Sequence, residues 1–339
     1  MLRPTLSLNL ALQGGGAHGA FTWGVLDALL EDGRVRFDGV SGTSAGAMNA
    51  LVLAQGWLDG GREGARAALR AFWSALAALM PVDVALPAPN GSVRLAPALK
   101  LWLLWSHYVA PAQVNPLGLD PLRDLVESQI DFPGLRRHAP FRLFVAATHA
   151  NSGRLRLFRN AELSADALLA SACLPTLFHA PLIDGEPYWD GGYAANPAVF
   201  PLLEECATRD TLLVLLTPLG LPPLTPMHTA RGIHERVAEI AFTASFRREM
   251  QALAHERRAG ARRWWPLPRL AGGAARARFH LIEAQAALGH LASETKLAVS
   301  MSFFEALHAL GRQSAERWLA AHLQAVGRRD SVDLVARFA

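Results

Sequence analysis

Two glycine-rich turns, each set between an extended run and a helix-like run, fall within residues 1 to 56 and restrict the fold more than any other feature. Leu6, Leu8, Leu10 and Leu12 alternate with smaller residues, as a strand with one strongly apolar face does, and lead directly into Gly14-Gly15-Gly16-Ala17-His18-Gly19. Phe21, Val25, Leu26 and Leu29 then recur at helical spacing up to Asp32-Gly33. A second extended run, Phe37 to Ser41, leads into Gly42-Thr43-Ser44-Ala45-Gly46 and a helix-like run from Ala47 to Gln55. Two strand-loop-helix units in series place both loops at the C-terminal edge of a parallel sheet, where they face a common point.

The second turn has the G-x-S-x-G pattern of a nucleophile elbow, in which a serine stands at the tip of a bend too tight for flanking side chains. Ser44 also lies at a helix start, where free amides and the positive end of the dipole favour the anion formed when a hydroxyl attacks a carbonyl. The first turn directs several backbone N–H groups to one point, as an oxyanion hole requires. Gly14, Gly16 and Gly19 also match a dinucleotide-binding fingerprint, with Asp38 about 20 residues on as the ribose-binding acid. Against that reading, Asp38 opens the second strand instead of closing it, and a dinucleotide site has no use for a serine elbow.

Farther along comes Tyr188-Trp189-Asp190-Gly191-Gly192-Tyr193, followed by Asn196-Pro197 and an apolar helix-like run from Ala198 to Cys206. On its own Asp-Gly-Gly is ordinary turn chemistry. Taken in order, Gly14 to Gly19, Gly42 to Gly46 and Asp190 to Gly192 resemble the patatin-like phospholipase family, with Ala170-Ser171-Ala172-Cys173-Leu174-Pro175 and Asn196-Pro197 as supporting blocks. The resemblance spans about residues 6 to 217. It implies a three-layer α/β/α core with a mostly parallel sheet, and a Ser-Asp dyad without a catalytic histidine. By position, Ser44 would be the nucleophile, Asp190 its base, and Gly14, Gly15, Gly16 and Ala17 the oxyanion loop, with His18, Gly19, Gly42, Gly46, Gly191 and Gly192 in support. The implied substrates are phospholipids or lysophospholipids, with a neutral ester or intracellular polyester (polyhydroxyalkanoate) as alternatives and a non-catalytic membrane-associated scaffold as the reading from another class. No cofactor and no metal are implied. His18 departs from the family, which usually carries Arg or Lys there. An imidazole in that place would titrate between about pH 5 and 8, so His18→Arg is expected to stay active and to flatten the pH dependence.

At 339 residues and 51% hydrophobic content the chain can bury a large core. Its formal charge of +4 is carried almost wholly by arginine, since Lys100 and Lys296 are the only lysines. Cys173 and Cys206 alone support neither a disulfide scaffold nor a cysteine zinc site. No apolar run long enough for a signal peptide precedes the first loop, so the expected location is cytoplasmic, with peripheral membrane contact left open.

The expected organisation is a catalytic domain over residues 1–217, with a helical insertion or lid at 57–140, and a mainly helical region over 218–339. Arg62 to Met80 reads as a helix, and Asp120-Pro121 starts another that Pro133-Gly134 closes. Residues 141–147 and 154–158 form a hairpin around Asn151-Ser152-Gly153, 163–174 a helix and 211–217 a buried strand. The proline-rich run 218–226 marks the edge of the core, and Phe279 to Ile282 reads as a further strand. Two segments are candidates for lipid contact. Residues 95–109 are the most apolar stretch, read as a core helix or a lid, and too short for the ~20 residues of a bilayer span. Residues 247–278 carry nine arginines around Trp264-Trp265, read as a solvated face or an anionic-membrane surface, with no nucleic-acid recognition fold in view. Among the twelve histidines, His228 or His290 would complete a Ser-His-Asp triad, the alternative mechanism.

Overall fold

The computed structural model describes residues 5–79, 85–87, 93–97, 120–218, 230–261, 276–289, 291 and 293–339. Its strands are β1 (Leu6–Leu12), β2 (Val35–Thr43), β3 (Ala85–Pro87), β4 (Val93–Leu95), β5 (Arg142–His149), β6 (Leu155–Arg159), β7 (Leu182–Ile183), β8 (Glu186–Asp190), β9 (Asp210–Leu215) and β10 (Arg278–Glu283). Eight of them form one sheet in the order β10-β9-β1-β2-β5-β8-β7, with β6 also paired to β5, while β3 and β4 form a separate antiparallel pair. β10, β9, β1, β2 and β5 run parallel, and β6 and β8 run antiparallel to β5.

The alternation in β1 has a physical use on both faces, because the strand lies inside the sheet. Leu8, Leu10 and Leu12 enter one apolar cluster with Leu143, Val145, Leu212 and Val214 from neighbouring strands. Ala11 enters a second cluster with Phe144, Leu213 and Leu215. On that second side Asn9 is fully buried and donates to the carbonyls of Leu202 and Thr208, which offsets the cost of a polar group there.

Helices cover both faces, giving the three layers expected. They are α1 (Gly19–Asp32), α2 (Ala45–Ala78), α3 (Pro121–Gln129), α4 (Phe132–His138), α5 (Ala165–Ser171), α6 (Phe200–Glu205), α7 (Ala230–Ala261), α8 (Gln285–Leu288), α9 (Met301–His322) and α10 (Leu334–Phe338). The first cluster takes side chains from α1, α2 and α9, and the second takes them from α6, α7 and α10. Each fully buried leucine of these clusters contributes about 1.5–3 kcal/mol. α2 is two helices joined by a sharp bend at Gly60 and Gly61, where the backbone leaves helical geometry and lets Gly56 pack against Gly64 and Ala68.

Two expectations about boundaries are corrected. Pro133-Gly134 does not close the helix begun by Asp120; that helix ends at Gln129, and Pro133 sits in the first turn of α4, whose N-cap Asp131 accepts from the Gly134 amide. Proline lacks the amide that a first turn leaves unpaired anyway, so it fits a start as well as a stop. The proline-rich run after residue 217 is likewise not the edge of the core. β10 pairs along the whole of β9, and α9 lies against α1 so closely that a Cβ on Gly24 would stand 2.0 Å from the His308 carbonyl oxygen, and one on Gly311 2.0 Å from that of Phe21. Within 218–339, the described residues therefore finish both the sheet and one helical layer.

Residues 98–119 and 262–275, which carry most of the apolar stretch 95–109 and the Trp264-Trp265 pair, lie outside the described residues. Within the rest of 247–278, Arg257 pairs with Asp330, Arg278 with Asp210, and Arg247 donates to the Pro218 carbonyl, so these three are turned toward the protein. Among the described residues no helix is long and apolar enough to cross a membrane.

Candidate active site

The site lies at the C-terminal edge of β1, β2 and β5. β2 ends at Thr43, and Ser44 turns the chain into α2 with φ 54° and ψ −123°, a conformation that costs a non-glycine residue about 1–3 kcal/mol and persists only where neighbours enforce it. Gly46 lies so close to β1 that a Cβ there would be 2.2 Å from the Leu12 carbonyl oxygen, and Gly42 is backed by Gly46 itself. The Ser44 amide donates to Ser171 Oγ at 2.9 Å, and the Ser44 carbonyl accepts from Ala47 and Met48. Ser171 is fully buried at the end of α5, so the sharp turn is pinned from a neighbouring layer.

Asp190 ends β8, with Ala147 of β5 as its partner across the sheet. Thr148 Oγ donates to its carbonyl at 2.8 Å, its amide donates to Cys173, and its carboxylate accepts the Gly192 amide at 2.7 Å. The Ser44 side chain lies near enough to the same carboxylate to favour its charged form. Asp190 is 1% exposed, and burial without a cation pushes its pKa up to about 7, the hydrogen bond from Gly192 and the nearby Ser44 side chain opposing that rise only in part. Gly191 passes against the Ala146 carbonyl and Gly192 against the Phe242 ring, both without room for a side chain.

The glycine loop completes the edge. Gly16 has φ 56°, and a Cβ there would be 2.2 Å from the Lys296 carbonyl oxygen, so only glycine fits. Gly19 opens α1 against Ala45 and Trp73. Gly14 corrects one expectation, because its amide donates to Asn196 Oδ1 at 2.7 Å and is not available to an oxyanion. Among the described residues the amides of Gly15, Gly16 and Ala17 have no such acceptor. Asn196 and Gln13 bind the loop to the acid segment: Gln13 donates to the Asn196 carbonyl and accepts from the amides of Leu216 and Thr217.

His18 also departs from expectation. It is buried, its Nε2 lies 2.8 Å from Thr295 Oγ, and burial together with the charge of Lys296 pulls its pKa down to about 3. It is a neutral packing residue across pH 5 to 8, turned toward Thr295. Asp38, the acid of the dinucleotide reading, lies within β2 and accepts the Thr208 amide at 2.7 Å. His228 and His290 lie outside the described residues; among those described, no histidine is hydrogen-bonded to Ser44 or Asp190. A cavity of about 380 Å³ beside Arg257 and Ser331 and another of about 810 Å³ beside Gln55 and Arg123 touch neither residue.

A serine in an enforced bend, a buried carboxylate near it and a glycine loop whose amides find no acceptor among the described residues match the chemistry of acyl transfer. The family model for patatin-like phospholipases matches residues 10–203, more than half of the chain. The chain belongs to the patatin-like phospholipase family. Membership supports lipid acyl hydrolysis as the class of reaction. No curated protein matches. Among solved structures, VipD from Legionella pneumophila is similar at 16% identity with a TM-score of 0.43, over 94% of this chain and 67% of that one. The ExoU-SpcU complex from the type III secretion system of Pseudomonas aeruginosa is similar at 16% identity with a TM-score of 0.34, over 94% of this chain and 52% of that one. This patatin-like chain thus spans about half the length of the second neighbour. Ser171 and Asn196 were legible only as parts of motifs, without a role, and Gln13 not at all, since each acts on a residue far away in sequence.

Proposed function

We propose that this chain is a serine acyl hydrolase that cleaves ester bonds of phospholipids or lysophospholipids through a Ser44-Asp190 dyad. Ser44 Oγ attacks the ester carbonyl while Asp190 takes its proton, the amides of Gly15, Gly16 and Ala17 receive the oxyanion, and the protonated Asp190 returns the proton to the leaving alcohol. Water then repeats the sequence on the acyl-enzyme. The observation that carries this reading is the Asp190 carboxylate, buried, close to the Ser44 side chain and raised to about 7, which makes it a far better base near neutrality than an ordinary aspartate. Trp189, Tyr193, Phe178 and Leu182 are exposed apolar groups on or near the acid segment, in keeping with an acyl chain or lipid surface as the neighbour of the site.

Labelling with a fluorophosphonate probe, followed by a lipid panel on the labelled protein, tests the proposal. A covalent adduct on Ser44 and turnover of phospholipid are expected. A labelled protein that turns over only neutral esters or polyester would move the substrate to the alternative class, and absence of both labelling and turnover would leave the scaffold reading.

A further inference from the structure

Lys296 lies beside the glycine loop, and among the described residues no counter-charge is in contact with it. It sits in a 3-10 helix, Ser293–Leu297, packed on the 3-10 helix Gly16–His18, and its own carbonyl is the atom that excludes a side chain from Gly16. Thr295 next to it is fully buried against His18, which fixes this short segment on the loop. Lys296 is only partly exposed, yet among the described residues its ammonium forms no hydrogen bond and no ion pair. Its electrostatic neighbours are His18, held neutral, and Glu239 on α7, which acts from beyond salt-bridge distance and lies within it of Arg236. α7 is the helix whose Phe242 backs Gly192 and stacks on Tyr193, so Lys296 is bracketed by two elements that frame the dyad.

Lys296 is partly buried with no partner for its ammonium among the described residues, and that burial pulls its pKa down. A partly buried cation with three donors and, among the described residues, no acceptor, carried on the segment that packs on Gly16–His18, has the chemistry that recognises a phosphate diester. We propose that Lys296 determines specificity in this site by receiving the phosphodiester of a lipid whose ester carbonyl lies over Ser44. This rests on the acyl-hydrolase reading above and narrows it, since a neutral glyceride or a polyester has no group for Lys296 to bind.

Two measurements test the proposal separately from that reading. Because Lys100 and Lys296 are the only lysines, a chain labelled with ε-¹³C-lysine gives two ε signals, assigned with Lys296→Met. Adding glycerophosphocholine should shift the Lys296 signal and move its titration midpoint upward, because an anion favours the charged form; glycerol should do neither. A signal that ignores glycerophosphocholine, or answers glycerol equally, overturns the proposal, and a response to inorganic phosphate alone would mark a free-phosphate site instead. In the second measurement, Lys296→Met should lower kcat/KM on monomeric dihexanoyl phosphatidylcholine about 30-fold or more, mostly through KM, and change turnover of dihexanoylglycerol less than about threefold. Lys296→Arg should restore most of the loss. Equal losses on both substrates, or none, would overturn the assignment. If the wild type hydrolyses neither substrate, the hydrolase reading fails and the spectra still decide whether Lys296 binds the diester.

Discussion

Asp190 and Asp210 are equally withdrawn from water, at 1% and 2% exposure, and lie toward opposite ends of the same sheet, yet their charge states diverge. Asp190, at the C-terminal edge, has amides and a hydroxyl around it and no cation, and burial raises its pKa to about 7. Asp210, at the start of β9, is buried too, but Arg278 lies at 2.6 Å, His280 at 3.0 Å and the Gly327 amide at 2.9 Å, and together they pull it down to about 2. Burial is common to both, so what separates a carboxyl that titrates near neutrality from a structural anion is the presence of a cation within hydrogen-bond distance. A proton-accepting carboxylate has to be denied the partner that would stabilise its charge.

The largest effects should fall on turnover. Ser44→Ala and Asp190→Asn should each reduce hydrolysis of a soluble short-chain ester by about 10³-fold or more with circular dichroism unchanged, while Asp210→Asn should keep activity within a few-fold in whatever fraction stays folded. If Asp210→Asn abolished turnover in folded protein and Asp190→Asn did not, the roles drawn from the two environments would be reversed.

Stability should show the mirror image, measured by denaturant melts across pH. Asp210→Ala removes one partner of a buried charge pair and should cost about 3–5 kcal/mol at pH 7. Its folded pKa is depressed, so the stabilisation it gives is present above the ordinary carboxylate range and is lost as pH falls toward about 2. Asp190 has the opposite sign: with its folded pKa raised to about 7, the wild type loses stability as pH rises from about 4 through 7. Asp190→Asn should therefore gain on the wild type over that window, by up to about 4 kcal/mol at 1.36 kcal/mol per pKa unit. A variant that loses stability as pH rises through 7 relative to wild type would refute the raised pKa. Turnover itself should rise with pH through an ascending limb near 7, because only the ionised Asp190 accepts a proton.

Smaller effects test the frame around the dyad. His18→Arg would bury a guanidinium beside Lys296, so both melting temperature and turnover should fall, contrary to what position in the glycine loop suggests. A fully active, fully stable arginine variant would mean that the loop has room for a cation. Ser171→Ala removes the acceptor of the Ser44 amide and should lower kcat about tenfold, near the 1–3 kcal/mol that an unpaired buried donor costs. Full kcat in that variant would show that the bend needs no external pin.

What the sequence disclosed was local or strongly patterned. The alternating leucines of β1, the two glycine turns and Asp190-Gly191-Gly192 are each a short run whose backbone demands are met by its own residues, so their identity survives without knowledge of the fold. Pro133 was misread because its physics suits both ends of a helix. The loss of Gly14 as a donor, the burial of His18 and the pin from Ser171 all depend on contacts made across many residues, and no window of sequence contains them. The edge placed after residue 217 failed for the same reason: a proline-rich run marks a change in local backbone, whereas membership of a core is decided by what packs on it.

The close seat of α9 on α1 has a consequence for the order of events as the chain is made. Asp27 and Arg312, which are joined across that contact, are 285 residues apart, and Gly24 and Gly311 permit the approach only when both helices are present. α1 follows directly on the glycine loop, so the segment bearing the amides of Gly15, Gly16 and Ala17 leaves the ribosome long before its covering helix does. Until then Phe21, Val25 and Leu29 present an uncovered apolar face, and closing so long a loop is slow compared with forming local helices. A working site should therefore appear only after synthesis of residues 301–322, and chains interrupted before that point should accumulate as chaperone clients with a complete set of motifs and no hydrolase activity.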